Sequence, residues 1–275
     1  MVKPWKAAAQ LMADYFSSRG QRWPAFDATD LLSRVEHVNG HWVNDSHVSE
    51  AEAVIRRACF DVDDLVENYL RIELIFEDLS YLDGLIGAPV YGYAHPDTRR
   101  IAVCDRARAY EPLCRTTIIH EVAHILLHTA AKERTIVYCP EFPGRSPEEV
   151  EANQFMHVAL LPKSVLRLAI AWLCHIQGID LRLAVGSANF KRGRWIWRRR
   201  LFGPLIGKLC VSRELVSLKM MRTLGVFDQD TVNFHKTYHL PTKWRPKNLT
   251  PPLQRRIREL MRELRLEVES DVPGE

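Results

Sequence analysis

Before residue 70 the apolar positions recur every three to four residues, in Ala7–Phe16, Asp27–Val38 and Ser49–Tyr69, and that period predicts helices. Gly20, Pro24, Gly40 and the Asn44-Asp45-Ser46 cluster interrupt them. The acidic run Asp61-Val62-Asp63-Asp64 reads as a solvated helix start. From Arg71 the period shortens to two. Ile72–Phe76 and Ala88–Tyr93 read as strands, and a turn at His95-Pro96-Asp97-Thr98 leads into a third, Arg100–Cys104, so that the last two form a hairpin. A helical pattern returns near Glu111-Pro112 and ends near Thr129, with Ile118, Ile119, Val122, Ile125 and Leu126 on its buried side. Lys132 to Arg145, with Pro140, Pro143 and Gly144, reads as a loop. Ser146 then suits a helix N-cap, with Pro147 at the first helical position and Glu149 at the capping-box position.

These patterns divide the chain into a helical N-terminal region (1–70), a core (71–165), a helical C-terminal region (166–250) and an amphipathic helix with a tail (251–275). The expected class is α+β, mostly helical, with a small sheet packed on the helix that follows residue 111. In the last region Leu253, Ile257, Leu260, Met261 and Leu264 share one helical face, among Arg255, Arg256, Arg258 and Glu259. Folding back onto the domain is the default for such a face, and docking a partner helix the sharper option.

Composition narrows the class. A chain of 275 residues, 47% hydrophobic and 26% charged, can bury a substantial core. The start, Met1-Val2-Lys3-Pro4-Trp5-Lys6-Ala7, lacks the apolar run of a secretory signal. The most apolar stretch, Val158 to Ile176, is broken by Pro162, Lys163 and Arg167, so no membrane association is expected. Cys59, Cys104, Cys114, Cys139, Cys174 and Cys210 show no paired spacing and read as reduced thiols, which suits the cytoplasm.

The chemistry concentrates in His120-Glu121-Val122-Ala123-His124, an H-E-x-x-H motif inside an apolar helix. Residues four apart lie on one helical face, so His120 and His124 can present ring nitrogens to one metal ion, Zn2+ by this pattern. Glu121 can reach a water on that metal as general base. A third ligand is required. Ala130 stands where a metzincin would carry its third histidine. His128 lies about 12 Å along the axis from His120, which makes it a neighbour of the ligands or a partly buried polar residue. The better candidate is Glu149, one turn before Asn153 on the next helix: a Glu-x-x-x-Asn pair is what a gluzincin site requires, the glutamate on zinc and the asparagine able to hydrogen-bond a ligating histidine. Glu151 is the rival ligand, although it points about 200° away from Glu149 around the helix.

His120 to His128, then Glu149-Val150-Glu151-Ala152-Asn153-Gln154-Phe155, then Leu160-Leu161-Pro162 resembles the core of the ImmA/IrrE zinc metallopeptidases. The resemblance is specific over about 101–162, extends to about 226 and is weak before Leu70. Met156 and His157 depart from the small residues usual after the phenylalanine, and a long insertion follows Pro162. The resemblance implies a zincin-like, small gluzincin fold, one zinc ion, and endopeptidase activity on a protein substrate. That substrate would be a helix-turn-helix repressor of mobile-element or stress-response genes.

Such sites usually place a further donor near the developing oxyanion. His157 leads that field, with Tyr138, His235, Tyr238 and His239 as alternatives. Val90–Tyr93 is the expected edge strand for an extended peptide substrate. A different class of function stays open. Ile206–Cys210, a short turn and a second helix capped by Ser212 and running to Leu224 have helix-turn-helix periodicity. The nearby 191–200 segment, Lys-Arg-Gly-Arg-Trp-Ile-Trp-Arg-Arg-Arg, could neutralise phosphates and stack on bases. Nucleic-acid binding is therefore the alternative, with a DNA- or partner-binding regulator carrying a non-catalytic zinc. A net charge of +4 argues against it, and the oligomeric state is not legible.

Overall fold

The computed structural model describes residues 3–36, 45–86, 89–128, 137–140, 146–181, 184 and 197–224. Three helices open the chain, α1 (Pro4–Ser18), α2 (Pro24–Glu36) and α3 (Asp45–Ala58). The helical pattern through Tyr69 breaks at Cys59-Phe60. Asp61 there caps a new start, its carboxylate accepting from the backbone N–H of Asp63 at 3.0 Å and Asp64 at 3.1 Å. A π-helical turn, Asp64–Tyr69, follows. Asp64 also accepts hydrogen bonds from Tyr15, at 2.8 Å, and from Arg19, which ties this turn to α1.

The sheet contains β1 (Glu73–Glu77), β2 (Val90–His95), β3 (Arg100–Cys104) and β4 (Val137–Pro140), in the order β1-β3-β2-β4. β1 runs parallel to β3, whereas β2 is antiparallel to both β3 and β4. The hairpin between β2 and β3 turns through Pro96–Thr98 and closes on Arg99, whose φ of 52° is left-handed. A short helix α4 (Ser80–Ile86) covers Val90 and Cys104 with Leu79 and Leu82. The class is thus α+β, mostly helical with one small mixed sheet.

The order corrects one expectation. β2 is an interior strand, paired on both sides, so Val90–Tyr93 offers no edge for a substrate. The strand that covers it, β4, lies in the stretch read as a loop. It is four residues long and ends in Pro140, too short for a period-2 pattern to register.

After a single helical turn, α5 (Asp105–Arg108), comes α6 (Glu111–Leu127), the centre of the molecule. Every residue from Thr117 to Ile125 on it is buried. A helix buried on all sides must be packed from all sides. β2 lies against one face and α7 (Pro147–Leu160) against another. α7 in turn packs on α1, and α8 (Lys163–Ile176) packs on α2 and α3. A π-helical turn (Trp197–Phe202), α9 (Gly203–Leu209) and α10 (Arg213–Leu224) complete the described chain. One continuous apolar cluster runs from Ala8 through Ile118 and Phe155 to Met220.

Two contacts set how closely α6 can be approached. Gly92 of β2 faces it so tightly that a Cβ there would stand 2.6 Å from Thr117 Cγ2, 3.1 Å from the Ala102 carbonyl and 3.4 Å from Glu121 Cγ. On the other side, buried Arg115 donates from Nη1 to the Phe60 carbonyl at 2.6 Å and from Nε to the Cys210 carbonyl at 3.1 Å. One guanidinium thus ties α6 to segments 55 residues before it and 95 residues after it.

The turn between α9 and α10 places Cys210 at φ 48°, and Ser212 accepts from the Leu215 N–H at 3.2 Å as the N-cap of α10. Leu215, Val216 and Met220 face the core. Most of the basic 191–200 segment, the 253–264 amphipathic face and His235, Tyr238 and His239 lie outside the described residues. No single described helix is long and apolar enough to cross a membrane.

Candidate metal centre

Two helices build the centre. α6 begins at Glu111-Pro112, with a carboxylate favourably placed in the first turn, and delivers His120 and His124 on one face, one turn apart. α7 is started by Ser146, whose hydroxyl accepts from the Glu149 N–H at 3.3 Å, with Pro147 next in line. That cap sets the rotation of the helix, and Glu149 turns its carboxylate toward α6. His120 Nε2 stands 3.1 Å from Glu149 Oε2, His124 Nε2 stands 3.2 Å from Glu149 Oε1, and the two Nε2 atoms are 3.0 Å apart. All three side chains are buried.

This triangle has the chemistry and size of a metal site. Donors at about 2.0–2.1 Å from a tetrahedral ion stand about 3.3 Å from each other, close to the observed edges. Electrostatics agree. Burial opposes a charge on Glu149, but hydrogen bonds with His120 and His124 outweigh it and hold its carboxyl down at about 2. Burial pushes the His124 ring below its ordinary value, against the pull of Glu149. An anionic carboxylate beside neutral imidazole is the protonation state a divalent cation needs. Glu121, next to the first histidine, is fully buried, its Cγ against the Gly92 position.

Residues 83–184 match the family Peptidase_M78, described as the IrrE N-terminal-like domain, and the match contains His120, Glu121, His124 and Glu149. Over this segment the chain is similar to the ImmA/IrrE family. Neither the curated proteins nor the solved structures return a match. The ImmA/IrrE segment begins about 18 residues before the specific resemblance read at 101, so it takes in the β2–β3 hairpin as well as both ligand helices. The matched family is of the metallopeptidase type, and the buried triad is where this chain could hold a metal ion.

The other expected residues fall in different places. Asn153 donates from Nδ2 to the Glu149 backbone carbonyl at 2.7 Å, not to a histidine, so it steadies the ligand helix one turn on. His157 is buried on α7, but eight residues beyond Glu149, about 12 Å along the axis, and the structure does not bring it into the triad. Its carbonyl accepts from Lys219 Nζ at 3.2 Å. Tyr138 lies in β4. His128 caps the end of α6, with its ring Nδ1 3.0 Å from His124 Nδ1 and its Nε2 3.2 Å from Glu151 Oε2. Glu151 is outside the triad, yet it reaches the same histidine stripe one turn further on. A helical wheel treats side chains as short spokes and hides that reach. Sequence reasoning also passed over Arg115 and Gly92, although an arginine beside the Thr-Thr-Ile-Ile run of an apolar helix was a visible signal.

Proposed function

We propose that this chain is a zinc endopeptidase of the cytoplasm. It hydrolyses one peptide bond in a protein substrate, a helix-turn-helix transcriptional repressor, and so controls gene expression. The observation that carries the reading is the buried His120–His124–Glu149 triangle with Glu121 beside it, inside an ImmA/IrrE segment. A structural zinc site has no use for a carboxylate following its first ligand. The choice of a repressor as substrate rests on the family resemblance.

His120, His124 and Glu149 would hold the ion, supplying two neutral nitrogens and one negative oxygen. Bound there, zinc would lower the pKa of a water toward about 7 and polarise the scissile carbonyl. The Glu121 carboxylate takes the proton of the attacking water and returns it to the leaving amine, a role typically worth about 10²–10⁴-fold in rate. β4 stands at the edge of the sheet beside α6, where an extended peptide could add by main-chain hydrogen bonds.

The test uses the purified full chain with zinc and a small helix-turn-helix repressor encoded beside it. Wild type is expected to cleave the repressor, and Glu121→Gln to bind zinc without cleaving. Glu149→Ala is expected to lose zinc by elemental analysis. Equal cleavage by wild type and Glu121→Gln would overturn the assignment of the base, and full zinc retention in Glu149→Ala that of the ligand. Zinc bound by a wild type that cleaves nothing would favour a regulator with a non-catalytic site.

A further inference from the structure

The histidine stripe of α6 does not end at the second ligand. His124 Nδ1 faces His128 Nδ1 at 3.0 Å, and His128 Nε2 faces Glu151 Oε2 at 3.2 Å, so three side chains form one file leading away from the triad. The hydrogen positions follow from what each group can do. An ionised carboxylate only accepts, so His128 must carry its hydrogen on Nε2 and donate it to Glu151. The Nδ1 of a neutral imidazole with Nε2–H is bare, so His128 accepts there, and the donor at 3.0 Å is His124 Nδ1–H. With an ion held at the triad, His124 would be bare at Nε2, the atom that stands 3.0 Å from His120 Nε2 and 3.2 Å from Glu149 Oε1, and would carry its hydrogen on Nδ1.

We infer that His128 and Glu151 are positioning residues: they lock His124 in the tautomer that points a lone pair at the metal and fix the plane of its ring. The inference rests on the zinc reading and deepens it. The two glutamates of Glu149-Val150-Glu151 divide the work, the first taking the ion and the second holding the far end of the histidine file. The file is mostly enclosed, with the His128 side chain 8% exposed and Glu151 33% exposed at the outer end. Outer partners of this kind typically change metal affinity by about 10–100-fold.

Zinc affinity of the purified full chain is measured by competition with a chromophoric chelator, and the ring tautomers by long-range ¹H–¹⁵N NMR. The zinc-bound wild-type His124 is expected to show Nδ1–H. His128→Leu should weaken zinc binding about 10–100-fold and mix the His124 tautomers. His128→Gln, whose amide can both accept from His124 and donate to Glu151, should recover most of the affinity. Glu151→Leu should weaken binding less, and should add nothing in the His128→Leu background. Wild-type affinity with an unchanged tautomer in His128→Leu, or independent losses from the two leucine variants, overturns the positioning role and leaves the zinc site standing. A wild type that binds no zinc overturns both. Should His128→Leu fail to fold, the half-exposed Glu151→Leu decides: unchanged affinity and tautomer there refute the file.

Discussion

Replacing Gly92 with alanine tests how closely β2 controls Glu121, the proposed base. The new Cβ would lie 2.6 Å from Thr117 Cγ2, where ordinary contact between carbons is about 3.5–4.0 Å, so about 1 Å of separation must be created. The Ala102 carbonyl of the neighbouring β3 also stands only 3.1 Å from that Cβ, so the strand has little freedom to adjust. Thr117 is buried at 4% exposure and cannot swing into solvent. The strain therefore passes into α6 between Thr117 and Glu121, the latter 3.4 Å from the same Cβ. Overpacking of this kind costs about 1–3 kcal/mol, and in a chain of this size each kcal/mol lowers the unfolding midpoint by about 2–4 °C. If Glu121 shifts by as much as 1 Å, the proposed peptidase activity should fall by about 10²-fold. The assay is thermal unfolding of the metal-free protein alongside cleavage of the proposed repressor substrate. A double-mutant cycle gives the sharper result, because Thr117→Ser removes the clashing methyl and keeps the hydroxyl. Alone it should cost about 0.8 kcal/mol, and combined with Gly92→Ala it should restore part of the loss, with a coupling of about 0.5–3 kcal/mol. A Gly92→Ala protein as stable as wild type, or losses that simply add, would refute the argument that this glycine is there for space.

Two further outcomes follow from polar contacts away from the triad. Arg115→Met keeps the apolar stem but strands the Phe60 and Cys210 carbonyls; chemical denaturation should show a loss of roughly 2–4 kcal/mol, and a loss below 0.5 kcal/mol would mean the tie is idle. Asp83 accepts two hydrogen bonds from Arg106 and one from the Val90 N–H, and Arg106 first, then that N–H, holds its carboxyl below the usual range. A depressed folded-state pKa contributes stability that is present above the unfolded value of about 3.9 and lost as pH falls through the folded one. The gap in unfolding midpoint between wild type and Asp83→Asn should therefore be steady near neutral pH and close below about pH 4; a gap that ignores pH would sink the assignment.

How much of this was legible in the sequence varied with the range of the interaction. His120, Glu121 and His124 could be read because their geometry is local: helix periodicity alone aligns them. Glu149 could be placed because Ser146 and Pro147 define where α7 starts, and the start fixes which side chains face α6. The spacing leaves Asn153 able to reach a histidine, whereas its amide bonds the carbonyl one turn back, a competition between side-chain and backbone acceptors that spacing cannot settle. β4 was hidden because four residues ending in proline carry no period, and with it went the identity of the sheet edge. Arg115 is conspicuous in an apolar helix, but its partners lie tens of residues away, and Gly92 depends on the closeness of two surfaces, neither of which a single-chain pattern encodes.

The apolar cluster from Ala8 to Met220 bears on what can be cut from this protein. The segment that recurs between proteins, 83–184, and the body that folds are different objects. A fragment trimmed to the recurring segment would keep every proposed ligand. It would also bare the face of α7 that α1 covers and the face of α8 that α2 and α3 cover, and leave Arg115 with neither of its carbonyls. The candidate metal centre is thus held from outside the boundaries by which it is recognised, by contacts that reach from α1 to α10.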